Sequence, residues 1–159
     1  MSTQTVHMFD LDRTIWDTYD VFGRPIWAKQ MLRPFTMDGN KITDDVGSIC
    51  VLRENIHEYM KYLKKQGHDL GFMSVGAAWS LTEEDQPSIN LLKDFGLYDF
   101  FGSNKYLKYK TTSKNHFLEN ISNCVFYDDD EKHLLVARQI PGLICHNCSE
   151  VKDWSSFYE

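Results

Sequence analysis

The chain has little of what marks membrane-spanning, disulfide-stapled or nucleic-acid-coating proteins. No stretch of its 159 residues approaches the ~18 consecutive apolar residues that a membrane-spanning helix needs. Its four cysteines, Cys50, Cys124, Cys145 and Cys148, are too few and too unevenly spaced for a disulfide framework. Basic residues are outnumbered, 17 Lys and Arg against 23 Asp and Glu, and the net charge of −6 disfavours broad attraction to nucleic acid or anionic lipid. Near the start, no apolar run follows a basic stretch and leads to a cleavage site, so the expected compartment is the cytoplasm. Cys145-His146-Asn147-Cys148 invites a zinc reading, but no second pair at matching spacing accompanies it. The expectation is a buried strand residue at Cys145 and an ordinary thiol at Cys148.

What is present suits one domain over residues 1–159, with 42% hydrophobic and 14% aromatic residues to build a core. Segment 5–9 is short, apolar and rich in strand formers, and it runs straight into Asp10-Leu11-Asp12. Further strands are predicted at 70–74, 124–127 and 142–145, each bounded by polar residues or glycine. Helical spacing links Ile56, Tyr59, Met60 and Leu63 before Gly67, and Ile89, Leu91, Leu92 and Phe95 before Gly96. Thr82 with Glu83, Glu84 and Asp85 reads as the capping start of that second helix, with Pro87 near its beginning. Two more helices are predicted at 112–120 and 131–139. Alternating strands and helices imply an open α/β sheet whose ligands bind outside the carboxyl ends of the strands. Segment 18–50 does not fit the alternation and is expected to form a loop or hairpin flap over the site.

The residues that carry chemistry gather at the predicted strand ends. Asp10 and Asp12 alternate after the first strand, and Thr14 follows with a hydroxyl. Residues curling off a strand end can aim one carboxylate at phosphorus and the other at the leaving oxygen. Asp128, Asp129, Asp130 and Glu131 follow the strand at 124–127. Carboxylates crowded at one rim repel, and a hard divalent cation such as Mg²⁺ offsets that cost. Asp130 and Glu131 are read instead as favourable charges at a helix start. Ser74, and the backbone from Val75 onward, can hold a phosphate oxygen. Lys105, Lys108, Lys110 and Lys114 supply candidate cations. Among the scattered histidines only His133, one turn beyond the acidic pair, is placed near the site, and it is read as a helix-surface residue.

In this order, the motifs resemble the haloacid dehalogenase superfamily: Asp10 to Thr14 as DxDxT, a strand-end Ser74, a lysine before a helix, and Asp128-Asp129. Phe9 to Trp16, Ser113 to Phe117 and Val125 to Asp129 are similar to the magnesium-dependent phosphatase family within it. The resemblance implies a three-layer open parallel sheet without a large cap domain. It makes Asp10 nucleophile and metal ligand, Asp12 general acid/base and a ligand through its carbonyl, and Asp128 a further ligand. Thr14 supports the loop, Ser74 and Val75 meet the phosphoryl group, Lys114 pairs with it and with Asp10, and Asp129 assists the metal shell or holds Lys114. Lys108 and Lys110 are alternatives to Lys114. Where the family tends to carry Arg-Thr this chain has Val75-Gly76, and His133 stands where it has asparagine.

The expected activity is therefore Mg²⁺-dependent phosphomonoester hydrolysis through an aspartyl phosphate on Asp10. Asp12 has to be protonated in the first step and ionised in the second, so its pKa is expected above that of Asp10. The expected partner is a phosphorylated small molecule or the phosphorylated end of a macromolecule, such as a nucleotide, nucleic-acid end or sugar phosphate. Arg24, Lys29 and Arg33, interleaved with Phe22, Trp27 and Phe35, suggest recognition by the 18–50 segment, and Trp79 is a candidate for stacking on a ligand. No membrane contact is expected, and a monomer is favoured. The alternative is a phosphate-binding or receiver-like signalling domain phosphorylated on Asp10 without efficient turnover. Receivers, however, place their acidic pair on the first strand and the phosphorylated aspartate later, the reverse of the order here.

Overall fold

The computed structural model describes residues 5–75, 77–78, 81–107, 114, 118–121 and 123–158. Nine strands occur among them: β1 Val6–Phe9, β2 Trp16–Tyr19, β3 Thr36–Asp38, β4 Lys41–Thr43, β5 Ile49–Leu52, β6 Asp69–Ser74, β7 Lys105–Leu107, β8 Cys124–Asp128 and β9 Ile144–Asn147. Three α-helices are described: α1 Ile56–Lys65, α2 Pro87–Asp94 and α3 Glu131–Ala137. The fold is α/β. One sheet has five parallel strands in the order β7-β6-β1-β8-β9, and a second has four antiparallel strands in the order β2-β5-β4-β3.

The central strands are apolar on both sides because both faces of the parallel sheet are covered. Phe9, Leu70, Phe72, Val125 and Tyr127 face a core shared with α1, α2 and Trp154. Val6, Met8, Met73, Cys124 and Phe126 face a second core with Leu118 and with Leu134 and Ala137 of α3. Helix α1 buries Ile56, Tyr59, Met60 and Leu63, the stripe its spacing predicts, and each such side chain contributes about 1.5–3 kcal/mol. Glycines at positive φ follow both long helices, Gly67 at 86° and Gly96 at 74°.

Several elements differ from expectation. Helix α2 starts at Pro87 instead of Thr82, with Glu83–Asp85 forming a separate 3-10 turn. The Gln86 side chain is tied to the backbone of Ala78 and Leu81, and Pro87, lacking an N–H, suits the first helical position. Strand β9 lies two residues later than 142–145, and β7 was not foreseen. Most of the predicted helix at 112–120 lies outside the described residues.

The 18–50 segment is more than a hairpin. It contributes β3, β4 and half of each of β2 and β5 to the antiparallel sheet, with a 3-10 turn at Ala28–Gln30. Arg53, at the end of this sheet, is buried. It donates to both carboxylate oxygens of Asp17 at 3.0 and 3.1 Å and to the carbonyls of Cys148 and Val151 at 2.6 and 3.1 Å. One guanidinium thus joins the antiparallel sheet to the segment after β9, its charge paired and each of its nitrogens hydrogen-bonded. No described helix is long and apolar enough to cross a membrane.

Candidate active site

Strand pairing assembles the site. Phe9 lies opposite Tyr127 on one side and Phe72 on the other, so β1 and β8 end side by side, with the longer β6 alongside. The N–H of Asp10 donates to the Tyr127 carbonyl at 2.8 Å, which places Asp10 next to Asp128. The chain then doubles back: Thr14 and Ile15 donate N–H bonds to the Leu11 carbonyl, Arg13 donates to that of Trp16, and Arg13 takes a left-handed φ of 61°. This tight turn brings Thr14 Oγ1 within 3.1 Å of Asp10 Oδ2.

Lys114 closes the centre. Buried at 5% exposure, its ammonium donates to Asp10 Oδ1 at 2.9 Å and to Asp128 Oδ2 at 2.6 Å. Among the four candidate lysines, it is therefore the one seen in contact; Lys108 and Lys110 lie outside the described residues. Asp10, Asp128 and Asp129 each offer a carboxylate oxygen within 4.8 Å of the others. With all three carboxylates ionised around one ammonium, two negative charges remain to be balanced. An all-oxygen, hard donor set with that surplus fits a hard divalent cation such as Mg²⁺.

Asp12 stands outside that trio. Its Oδ1 accepts from Trp16 Nε1 at 2.9 Å and from the Ala28 N–H at 3.1 Å. Trp16 is fully buried on β2, and Ala28 begins the 3-10 turn of the 18–50 segment. The antiparallel sheet thus holds this carboxylate. A cavity of about 320 Å³ lies over the strand ends, lined by Asp10, Asp12, Trp27, Lys29, Ser74, Val75, Lys114, Asp129, Asp130 and His133. Ser74 is buried at the end of β6.

The acidity of these groups follows their surroundings. Burial, and then the Asp128 charge, push the Asp10 carboxyl well above its ordinary value, against the pull of Lys114. Burial also raises Asp12, opposed by its bonds from Trp16 and Ala28, and burial raises Asp129. Asp128 is held low: burial works against its ionisation, but the His133 hydrogen bond and then Lys114 outweigh it. Burial alone would favour a neutral Lys114, yet its two carboxylate partners raise it. Burial thus raises both Asp10 and Asp12, and at Asp10 the neighbouring Asp128 charge is a second cause.

His133 corrects the reading of it as a plain helix-surface residue. Its Nδ1 lies 3.2 Å from Asp128 Oδ2 and it lines the cavity. Of the basic and aromatic residues in the 18–50 segment, Trp27 and Lys29 reach the cavity, whereas Arg24 pairs with Asp20, Arg33 pairs with Asp85, and Phe22 is 79% exposed. Cys145 lies on β9 as expected but is only half-buried, because β9 is an edge strand, and Cys148 is fully buried. Trp79 lies outside the described residues.

No family model matches the chain, and no curated protein matches it. Among solved structures it is similar to one described as the crystal structure of an uncharacterized protein from Listeria monocytogenes serotype 4b. The two share 18% identity over 79% of this chain and 67% of that one, with a TM-score of 0.49.

Proposed function

We propose that this chain is a Mg²⁺-dependent phosphomonoester hydrolase of the haloacid dehalogenase type, with a capless three-layer core. One observation carries the reading: the Asp10, Asp128 and Asp129 carboxylates and the Lys114 ammonium meet at the carboxyl ends of adjacent parallel strands, beside Asp12. An ordinary acidic turn has no reason to bury its carboxylates around a lysine.

Asp10 is the nucleophile. Thr14 and Lys114 each hold one of its oxygens and so fix its direction of attack. Lys114 offsets charge on the nucleophile and on the phosphoryl oxygens, and Ser74 and the Val75 backbone receive the transferring group. Asp12 protonates the departing oxygen through Oδ2, since Oδ1 is occupied by two N–H donors. It later takes a proton from the water that hydrolyses the aspartyl phosphate. Asp10, Asp128 and Asp129 would hold the cation, which would supply positive charge near the phosphoryl oxygens and favour ionised Asp10. His133 and the Asp130 N–H orient Asp128.

The test is release of inorganic phosphate from nucleotides, sugar phosphates, phosphopeptides and phosphorylated oligonucleotide ends, with Mg²⁺ or chelator. Turnover that requires Mg²⁺ and disappears in Asp10→Asn supports the proposal. A folded protein that turns over none of them, but keeps a stable phosphoryl group on Asp10, replaces it with a receiver-like role.

A further inference from the structure

The segment that reaches the site from the antiparallel sheet brings a ring and a charge for which the chemistry of Asp10 and Asp12 has no use. Trp27 and Lys29 line the cavity, and the N–H of Ala28 between them donates to Asp12 Oδ1 at 3.1 Å. If Asp12 protonates the departing oxygen, the leaving group lies against Asp12, and so against the residues flanking Ala28. The Trp27 ring is steadied by the Arg13 guanidinium 4.1 Å from its centroid, yet the residue stays 47% exposed. Lys29 is half-buried on the cavity wall, and among the described residues no carboxylate forms an ion pair with it. At about 320 Å³ the cavity sits at the low end of the ~300–1,000 Å³ range of small-molecule sites, so a bulkier leaving group extends onto this rim.

We propose that Trp27 and Lys29 form the leaving-group subsite and that it takes a nucleoside carrying a second phosphate, the base against Trp27 and the second phosphate at Lys29. This rests on the phosphatase reading. The bond from phosphorus to the nucleoside oxygen breaks as the bond to Asp10 forms, and that oxygen takes the Asp12 proton. Water then attacks phosphorus, the bond to Asp10 breaks, and Asp12 recovers a proton. A free nucleoside bisphosphate and the end of an oligonucleotide share this chemistry.

Ribose 5-phosphate, a nucleoside 5′-monophosphate, a nucleoside 3′,5′-bisphosphate and a 5′-phosphorylated dinucleotide add the base, the second phosphate and the chain in turn. Adding the base is expected to raise kcat/KM about 5- to 150-fold, the range of base–aromatic stacking. The second phosphate adds about tenfold. Trp27→Ala collapses the first step and Lys29→Gln the second, mainly through KM. Preference for the bisphosphate identifies a free nucleotide, and preference for the dinucleotide identifies a nucleic-acid end. Equal use of ribose 5-phosphate and the nucleotides, or variants that lower every substrate by one factor, overturns the proposal. If wild type releases no phosphate from any ester, the phosphatase reading fails separately. Equilibrium dialysis of the bisphosphate then decides the subsite: weaker binding by both variants supports it, and unchanged binding overturns it.

Discussion

Replacing Asp10 with asparagine is expected to abolish activity and at the same time stabilise the fold. Burial and the Asp128 charge raise the folded pKa of Asp10 even after the attraction of Lys114 is counted, so ionised Asp10 costs stability. Because the folded value lies above the unfolded one, the contribution of Asp10 is complete below about pH 4 and is lost as the pH rises through the folded value. In asparagine the charge is gone, while Lys114 keeps Asp128 as its partner. Relief of functional strain of this kind is worth about 0.5–2 kcal/mol, or roughly 1–8 °C in a domain of this size. The assay is thermal unfolding of both proteins in chelator from pH 4.5 to 8, where wild type weakens toward neutral pH relative to the variant. Added Mg²⁺ is expected to raise the melting temperature of wild type and to close the gap. An Asp10→Asn protein less stable than wild type in chelator at pH 7.5 refutes the reasoning.

Lys114→Met strands the Asp10 and Asp128 carboxylates in a buried site, and denaturant unfolding at pH 7 is expected to show a loss of about 3–5 kcal/mol. Trp16→Phe removes one of the two donors on Asp12. Turnover of alkyl phosphates is expected to fall about 10- to 100-fold, part of the range general acid–base catalysis supplies, and that of p-nitrophenyl phosphate to fall less, since its leaving group needs little protonation. Equal losses on both substrates argue against a positioning role. His7, buried beside His68 and His146 and bonded to the Tyr127 hydroxyl, has its pKa lowered to about 4, first by burial and then by its two histidine neighbours. Its stabilising effect is present above about pH 6.5 and disappears as the pH falls through 4, so His7→Gln is expected to flatten the urea midpoint over that window.

The parts of the fold open to reading from sequence were those where one physical rule dominates. Strands β1, β6 and β8 are buried on both faces, so their apolar runs stand out. The edge strands do not follow that rule. Residues of β7 are half-buried throughout and Ile144 of β9 is 56% exposed, so neither carries a clear pattern. Strand β3 is exposed at every position, and its three residues are recognisable only through their pairing with β4. In the site, motif spacing points to Asp10 and Thr14, while only the family resemblance singles out Lys114 among four lysines; the three meet as direct contacts. The bonds from Trp16 and Ala28 to Asp12 had no sequence signal, because they depend on how the turn at Arg13 folds the antiparallel sheet back over the strand ends. His133 is placed near the acidic pair by sequence but without a role there, for a similar reason: its reach to Asp128 is set by the seating of α3 on β8 and not by helical periodicity.

The central claim, that Asp10 becomes phosphorylated during turnover, is tested most directly by trapping. The protein is mixed with Mg²⁺ and a substrate ester, quenched within a turnover, reduced with borohydride and mapped by mass spectrometry. Borohydride converts an aspartyl phosphate to homoserine. Homoserine at position 10, dependent on substrate and Mg²⁺, is the predicted result; phosphate release with an unmodified Asp10 at every quench time, or homoserine at another aspartate, would contradict it.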